Sequence, residues 1–330
     1  MPLVGPKSRA KVDATVFIPT FNGEKYLDQL LNAIEAQDFA GNFEILIIDS
    51  GSTDRTLEII ADHPSVRLLQ IPQSEFGHGK TRNQAAQLAR GADIAYLSHD
   101  AIPVGQHWLS ALIEPLDADG LDCVAVVGRH IARTDCFPLL KFEIDGVFAG
   151  CGPLDRVTVV DGSVANFSTM SAGELFYSDV NSATRRDFLL NVIAYRDVPY
   201  SEDMAFARDL LTAGYRKAYQ PAALVEHSND VTLAEYPKRI FDETVGLRRV
   251  GERVPSHGWL GTFARIVKDV LRSSVRILGD SDYTVSEKLH WLASNPRYVW
   301  AKWTSMRRAS RINLDDKSAL SKYSLEASRV

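Results

Sequence analysis

Three groups of polar residues follow short apolar runs in the first part of the chain. They are Thr20-Phe21-Asn22, the stretch from Asp49 to Asp54, and Ser98-His99-Asp100. A carboxylate such as Asp49 at the end of a buried strand can accept the imide N–H of a uracil or thymine base. The same residues also fit a plain strand end followed by a helix that Asp54 caps. The sequence thus predicts either a nucleotide-binding edge or ordinary strand ends.

Two adjacent carboxylates, Glu202 and Asp203, open a helix that the pattern predicts over Glu202–Ala213. A positioned carboxylate can take a proton from a hydroxyl group, which is general-base catalysis. Acidic residues are also favoured in any first helical turn, because they face the positive end of the helix dipole. The residues alone leave both interpretations open.

The segment Gly79-Lys80-Thr81 follows a predicted strand and is similar to the end of a phosphate-binding P-loop. That motif needs another glycine five residues before Gly79, where this chain has Ser74. Because the backbone turn depends on that glycine, the sequence disfavours a P-loop NTPase. A nucleotidyltransferase would need a basic glycine-rich loop near the N-terminus, which the segment VFIPTFNGE does not supply.

The elements that must position these residues alternate between strand and helix. Apolar runs and segments of helical periodicity follow one another up to Val127. This order predicts an α/β fold with a mostly parallel, Rossmann-like sheet and helices on both faces. Ligands bind such sheets at the carboxyl ends of the strands, where the polar groups stand. The Gly, Ser and Asn content from Cys136 to Asp197 predicts loops and short strands there.

The overall charge conceals two differently charged regions. The 330 residues carry a net charge of −5 and are 45% hydrophobic, which excludes disorder as the main state and argues against a generic nucleic-acid binder. Lys238 to Arg311 hold 15 Lys and Arg against 7 Asp and Glu, whereas residues 1–237 hold 19 against 32. Four of the five tryptophans also lie in the basic part. We therefore predict two domains, 1–237 and 238–330, the second of them helical.

The sequence predicts a cytoplasmic protein. No apolar run reaches the roughly 18 residues that a membrane-spanning helix needs. The first residues, MPLVGPKSRAKVD, lack the apolar stretch of a secretory signal. The cysteines (Cys123, Cys136 and Cys151) are few and odd in number, which is typical of free thiols in a reducing compartment.

Taken in order, the motifs resemble those of the inverting glycosyltransferases of family two, which have the GT-A fold. The resemblance covers about residues 13 to 240 and is carried by VFIPTFN, IIDSGSTDRT, FGHGKTRNQAA, LSHDAIP, Ser201-Glu202-Asp203 and Val225-Glu226-His227-Ser228. Within the family, FGHGKTRN, LSHDA and DVNSATRR look most like rhamnosyltransferase-type members. The resemblance implies transfer of a sugar, with L-rhamnose from a dTDP donor as the leading choice, to a saccharide or lipid-linked saccharide in cell-surface polysaccharide synthesis. A non-catalytic sugar-binding relative is the alternative.

The resemblance also implies roles for particular residues. Asp203 matches the family's catalytic base, and Glu202 would orient it or contact the acceptor. The implied nucleotide-sugar-binding residues are Thr20, Asn22, Asp49, Ser50, Lys80, Arg82, His99 and Arg185.

A divalent cation, Mg²⁺ or Mn²⁺, is the implied cofactor, because it would neutralise charge on the diphosphate leaving group. Asp100 stands where the family carries its metal-binding D-x-D motif, and His227 stands where such enzymes often carry a metal-ligand histidine. Ser98 replaces the first Asp of that motif, so the motif supplies a single carboxylate here.

A basic stripe marks the helix predicted over Leu260–Leu278. Its residues Arg265, Lys268, Arg272 and Arg276 are spaced by 3, 4 and 4 positions and so share one face. Such a helix can lie on an anionic membrane surface, which would make residues 255–311 a peripheral contact at the inner face of the cell membrane. Alternatively, the helices of this region pack on the catalytic domain or form a homodimer interface.

Overall fold

The computed structural model describes residues 12–164, 166–167, 169–251 and 254–325. Backbone contacts divide them into two compact units. The first, here the sheet unit, holds the described residues up to Ile131 together with Asp145–His227. The second, the helical unit, holds Ala132–Ile144 and the described residues from Ser228 onward. The predicted boundary between domains at 237 and 238 stays a prediction.

One mixed sheet organises the sheet unit. Its described strands are β1 Val12–Thr20, β2 Phe43–Asp49, β3 Val66–Gln70, β4 Gly91–Leu97, β5 Ile102–Pro103, β6 Cys123–Ile131, β7 Thr158–Asp161, β8 Asn181–Arg185 and β9 Arg216–Glu226. They lie in the order β3-β2-β1-β4-β8-β6-β9-β5, and β7 also pairs with β9. Strands β1 to β4, β6 and β9 run in one direction, whereas β5, β7 and β8 run against them. The prediction of a mostly parallel α/β sheet is confirmed.

Helices connect these strands and form the rest of the molecule. They are α1 Leu27–Glu35, α2 Thr56–Ala61, α3 His78–Leu88, α4 Trp108–Asp117, α5 Pro138–Cys151, α6 Ala172–Leu175, α7 Arg186–Asn191, α8 Glu202–Thr212, α9 Tyr236–Arg249, α10 Trp259–Gly279, α11 Val285–Ala309 and α12 Lys317–Ser321. None of the helices in the described ranges is both long and apolar enough to cross a membrane.

The first strands are buried because their sequences are almost continuously apolar. In β1, Val16, Phe17 and Ile18 have no exposed surface, and in β2 the run Ile45–Ile48 is similarly enclosed. Strands that are covered on both faces have this composition. The sheet is thereby rigid at the carboxyl ends of β1, β2 and β4, where the polar loops begin.

In the helical unit, α9, α10 and α11 pack together. Tyr236, Ile240, Ile266 and Val299 form their shared core. Between α10 and α11, Asn295 Nδ2 donates to Ser273 Oγ at 2.8 Å. The predicted helical character of this region is confirmed.

The prediction of loops and short strands for Cys136 to Asp197 is wrong at Pro138–Cys151, which form α5. Gly146 and Gly150 lower the helix propensity of this segment. Burial of apolar side chains such as Phe142 and Phe148 outweighs that cost. All three cysteines of the chain are buried and unpaired.

Strand β9 is continuous from Arg216 to Glu226. Its pairing with β6 shifts between Gly128–Gln220 and Arg129–Leu224, so the residues around Pro221 bulge out of the ladder. Proline has no N–H for a ladder hydrogen bond, which explains the irregularity at this point. The continuous strand ends at Glu226 and presents His227 at the sheet edge.

Candidate active site

Asp49 joins the two loops that follow β1 and β2. The strand register sets Thr20 beside Asp49, and Thr20 Oγ1 donates to Asp49 Oδ2 at 3.0 Å. Asp49 Oδ1 accepts from the N–H groups of Gly51 and Ser52 at 3.0 Å, and Oδ2 also accepts from Ser52 Oγ at 2.5 Å. Ser50 Oγ donates to the Thr20 carbonyl oxygen at 3.1 Å. The four lone-pair positions of the carboxylate are all used, so a nucleotide base could contact it only by displacing a donor.

The loop after β1 is fixed by Asn22, whose φ of 50° lies in the left-handed region that Asn tolerates. Asn22 Oδ1 accepts from the Thr53 N–H at 2.8 Å, and its own N–H donates to Ser52 Oγ at 2.9 Å. The Gly23 N–H donates to Thr56 Oγ1 at 2.7 Å. The predicted residues of both loops therefore come together in one hydrogen-bonded structure.

The loop after β4 meets the loop after β1. These strands are parallel neighbours, and the His99 ring packs on Gly23, where an added Cβ would lie 3.3 Å from His99 Cδ2. Gly23 therefore leaves room for the imidazole. The structure brings His99 together with the residues predicted to bind the nucleotide.

Asp100 and His227 face each other across a strand pair. Strands β5 and β9 pair with Ile102 opposite Glu226, and His227 Nε2 lies 3.4 Å from Asp100 Oδ2. A carboxylate oxygen and an imidazole nitrogen suit Mn²⁺, and two protein ligands leave positions for diphosphate oxygens and water. In the described part of the chain, no group of three His, Cys, Asp or Glu side chains is arranged to hold a metal. The two residues are of types that bind such a cation, and two side chains alone do not complete its coordination.

A second histidine lies behind this pair. His130 is 7% exposed, and its ring centroid lies 5.6 Å from that of His227. Burial, and then the neighbouring His227, lower the pKa of His130 well below its usual value. His130 is therefore neutral near pH 7 and adds no positive charge beside the two candidate ligands.

A buried ion-pair cluster lies at the start of α8. Arg82 of α3 is 8% exposed. Its Nη1 lies 2.6 Å from Glu202 Oε1, and its Nε lies 2.8 Å from Asp179 Oδ2. Burial opposes the charge of Arg82, but Glu202 and Asp179 outweigh that effect and raise the pKa of the guanidinium. The sequence predicts donor binding for Arg82, whereas in the structure its guanidinium contacts two carboxylates of the protein.

Asp203 is the third carboxylate of this cluster, and its side chain is partly exposed. Its Oδ1 accepts from the Met204 N–H at 2.7 Å, and its Oδ2 accepts from the Asp179 N–H at 3.4 Å. Burial, and then the charges of Glu202 and Asp179, raise the pKa of Asp203 well above its usual value. A raised pKa makes the ionised carboxylate a stronger base, so Asp203 has the environment of a proton acceptor.

Asp179 and Tyr195 are cluster residues that the sequence analysis missed. Asp179 Oδ1 accepts from Ser182 Oγ at 2.6 Å and from Tyr195 Oη at 2.9 Å. Asn83 holds the backbone of Tyr195 through hydrogen bonds of 2.9 and 3.0 Å. Asp179 lies in the motif DVNSATRR, which the sequence comparison with rhamnosyltransferase-type members had already singled out. No local pattern identifies the distant Arg82 as its partner.

Gly79-Lys80-Thr81 lie in the first turn of α3, and Ser74, which stands where a P-loop needs glycine, lies in a single helical turn, Gln73–Glu75. A Cβ on Gly79 would lie 2.1 Å from the Arg196 carbonyl oxygen. The glycine therefore permits close packing of α3 on the Tyr195–Arg196 segment. Lys80 is exposed at this helix start, a position that favours anions.

Arg185 lies apart from the other predicted site residues. It pairs with Asp93 at the start of β4, whereas the polar loops follow the other end of that strand, where Leu97 pairs with Asn181. Strand β8 runs against β4 and carries Arg185 away from the carboxyl-end edge. The structure therefore does not bring Arg185 together with Asp49 or His99.

Sequence similarity connects this chain with known glycosyltransferases. The sequence profile of glycosyl transferase family 2 matches residues 15–137. The O-antigen chain rhamnosyltransferase RfbN of Salmonella typhimurium is 30% identical over 237 residues, which cover 70% of this chain and 71% of that protein. The O-antigen chain rhamnosyltransferase WbaN of Salmonella anatum is 28% identical over 234 residues, which cover 70% of this chain and 71% of that protein.

Solved structures share the fold. The mannosyltransferase PcManGT from Pyrobaculum calidifontis, in complex with GDP-Man and Mn²⁺, is 17% identical and superimposes with a TM-score of 0.60 over 94% of this chain and 92% of that one. Residues 1–349 of TarS from S. aureus, in complex with UDP-GlcNAc, give a TM-score of 0.54 at 17% identity, covering 94% and 79%. The fold is GT-A, a nucleotide-sugar transferase fold. The chain belongs to glycosyltransferase family 2 and transfers a sugar, which overturns the nucleotidyltransferase alternative.

Proposed function

We propose that this protein transfers L-rhamnose from a dTDP donor to a hydroxyl group of a saccharide or lipid-linked saccharide during assembly of a cell-surface polysaccharide. The observation that carries the proposal is the similarity to two O-antigen chain rhamnosyltransferases, each over 70% of the chain. The electrostatic environment of Asp203 supports the chemistry, because sugar transfer to a hydroxyl group requires a base.

Asp203 is the proposed base. The acceptor oxygen attacks the anomeric carbon opposite the diphosphate, the bond from that carbon to dTDP breaks, and the hydroxyl proton passes to Asp203. One such displacement inverts the anomeric centre. Glu202, held at 2.6 Å by Arg82, orients the start of α8 and keeps a negative charge near Asp203, which strengthens proton uptake.

The donor diphosphate is proposed to lie beside Asp100 and His227. A Mn²⁺ or Mg²⁺ ion held there supplies positive charge that stabilises the leaving diphosphate. The similar fold of PcManGT accommodates GDP-Man and Mn²⁺ together. His99, Asn22 and the loop that Asp49 organises lie next to this position and are proposed to receive the nucleoside. Lys80 is proposed as an additional phosphate contact.

A thermal-shift comparison of donors tests this proposal. The full chain is titrated with dTDP-rhamnose, UDP-GlcNAc and GDP-mannose, with and without Mn²⁺. A ligand at about a hundred times its Kd stabilises the folded protein by about 2.7 kcal/mol. We expect dTDP-rhamnose with Mn²⁺ to give the largest increase in Tm.

Transfer is then measured with dTDP-rhamnose and a saccharide acceptor by product analysis. The anomeric configuration of the product is expected to be opposite to that of the donor. Stabilisation by another donor would contradict the rhamnose assignment. Binding of a donor without transfer to any acceptor would favour the non-catalytic sugar-binding alternative.

A further inference from the structure

Helix α10 presents an apolar face to solvent. Its exposed apolar residues and their exposed fractions are Leu260 89%, Phe263 59%, Val267 43%, Leu271 64%, Val275 70% and Leu278 60%. At about 100° per residue these six positions fall within one sector of about 120°. We call this sector the apolar face of α10. Exposed apolar faces of this extent mark interaction sites.

Another side of α10, about 120° around the helix from the centre of the apolar face, accounts for its packing within the helical unit. Ile266 and Ile277 are buried there, and Ser273 is hydrogen-bonded to Asn295 of α11. The core of the helical unit therefore uses a different side of α10. The residues of the apolar face are not among those that form the described core, and their composition requires another explanation.

Positive charge borders the apolar face. Lys268 and Arg272 are exposed along one flank. On the same flank, the Arg265 guanidinium lies 5.4 Å from the Trp303 ring and that of Arg276 lies 3.8 Å from the Phe142 ring. The single acidic residue of α10, Asp269, accepts a hydrogen bond from Trp303 Nε1 at 2.8 Å, on the side away from the apolar face.

A cavity of about 140 Å³ lies at the N-terminal end of this basic flank. Its lining includes His257, Arg265, Trp303 and Arg307. Two guanidinium groups beside a small cavity suit an oxyanion such as a phosphate group. The two arginines of this cavity add to the positive charge of the basic flank.

We propose that α10 docks on an anionic membrane surface and lies in the plane of the bilayer. The apolar face enters the boundary between headgroups and acyl chains, and Lys268 and Arg272 contact lipid phosphates. A second copy of this chain is a poorer occupant, because antiparallel two-fold pairing of the apolar faces would set each basic flank beside its own copy. This surface goes beyond the proposed function and does not depend on the donor.

Vesicle co-sedimentation of the full chain tests this proposal. We expect the protein to pellet with vesicles of phosphatidylcholine and phosphatidylglycerol, and far less with phosphatidylcholine alone. Phe263→Glu with Leu271→Glu should weaken the partition coefficient more than tenfold. Lys268→Gln with Arg272→Gln should weaken it about fivefold for each charge removed, on anionic vesicles only. Leu154→Glu is the matched control, because Leu154 is 57% exposed in the sheet unit.

Leu260→Glu is a variant that should fold normally, because Leu260 is 89% exposed. It should weaken binding while Tm and sugar transfer to a soluble acceptor stay unchanged. Equal pelleting of the apolar-face variants and the unaltered chain would overturn the proposal. So would a lipid-independent dimer that the same variants dissociate. Transfer to the soluble acceptor reports on the proposed function separately.

Discussion

At the residue scale, two aspartates of the site have opposite environments. Asp49 accepts four hydrogen bonds from neighbouring N–H and hydroxyl groups. Asp203 accepts from two backbone N–H groups and lies beside two other carboxylates. The first carboxylate is enclosed by hydrogen-bond donors, whereas burial and the neighbouring carboxylates raise the pKa of the second. The same residue type thus organises loops at one position and is suited to proton transfer at the other.

The raised pKa of Asp203 predicts a pH-dependent effect on stability. Because its folded-state pKa exceeds the unfolded value of about 4, stability is lost as pH rises from that value toward the folded-state pKa. Asp203→Asn removes this loss. We expect its free energy of unfolding at pH 7.5 to exceed that of the unaltered protein, and the difference to vanish near pH 4. Urea unfolding at the two pH values measures it.

The exposed Asp119 provides a control for this comparison. Asp119→Asn should leave stability unchanged at both pH values. If Asp203→Asn were less stable than the unaltered protein at pH 7.5, the proposed cost of ionising Asp203 in the folded state would be contradicted.

Removal of the Arg82 guanidinium should lower the free energy of unfolding. Arg82→Met leaves Asp179 and Glu202 buried without their guanidinium, and breaking such a pair by removing one partner costs about 3–5 kcal/mol. Lys80→Met changes an exposed cation two positions earlier in the same helix, and we expect an effect within about 0.5 kcal/mol. Chemical denaturation of both variants measures the difference. Equal stabilities would show that the buried cluster does not depend on Arg82.

Residues that stand inside a recognisable motif could be predicted from the sequence, whereas residues whose role depends on a contact with a distant residue could not. Asp100, Asp203 and His227 stand inside motifs with a characteristic order, and the structure does bring Asp100 and His227 to 3.4 Å. Asp179 could not be selected, because its role depends on contact with the distant Arg82. The same contact gives Arg82 partners that the motif FGHGKTRN does not reveal.

At the element scale, the sequence predicts the strands that are apolar throughout and fails where tertiary packing decides. Strands β1, β2 and β4 follow from their continuous apolar runs, and helix α10 follows from its periodicity. Helix α5 does not, because its glycines lower the propensity that burial then overrides. The reversed direction of β8, which carries Arg185 away from the site, leaves no local trace in the sequence.

The start of α3 provides a prediction at this scale. In Gly79→Ala, the added Cβ would lie 2.1 Å from the Arg196 carbonyl oxygen, so backbone must move, and we expect a loss of about 1–3 kcal/mol. Gly146→Ala in α5 meets no atom within 4 Å and should be neutral or stabilising by up to about 1 kcal/mol. Thermal unfolding distinguishes them. An equally stable Gly79→Ala variant would contradict the close packing of α3.

At the scale of the whole molecule, the net charge of −5 is the sum of two unlike parts. Residues 1–237 have 32 acidic against 19 basic residues, and Lys238 to Arg311 have 15 basic against 7 acidic. The acidic part contains the carboxylates that we propose for sugar transfer, and under that proposal it must also bind a negatively charged donor. A cation at Asp100 and His227 would reconcile these requirements. The basic part includes the surface that we propose for an anionic membrane.

The proposed rhamnosyl transfer depends on removal of the acceptor proton by Asp203. Its most direct test is the initial rate of transfer from dTDP-rhamnose by Asp203→Asn, with Asp119→Asn as the control and donor affinity measured on both. We predict that kcat falls by about 10²–10⁴-fold, while donor affinity stays within about twofold. An Asp203→Asn variant that turns over as fast as the unaltered protein would show that Asp203 is not the base.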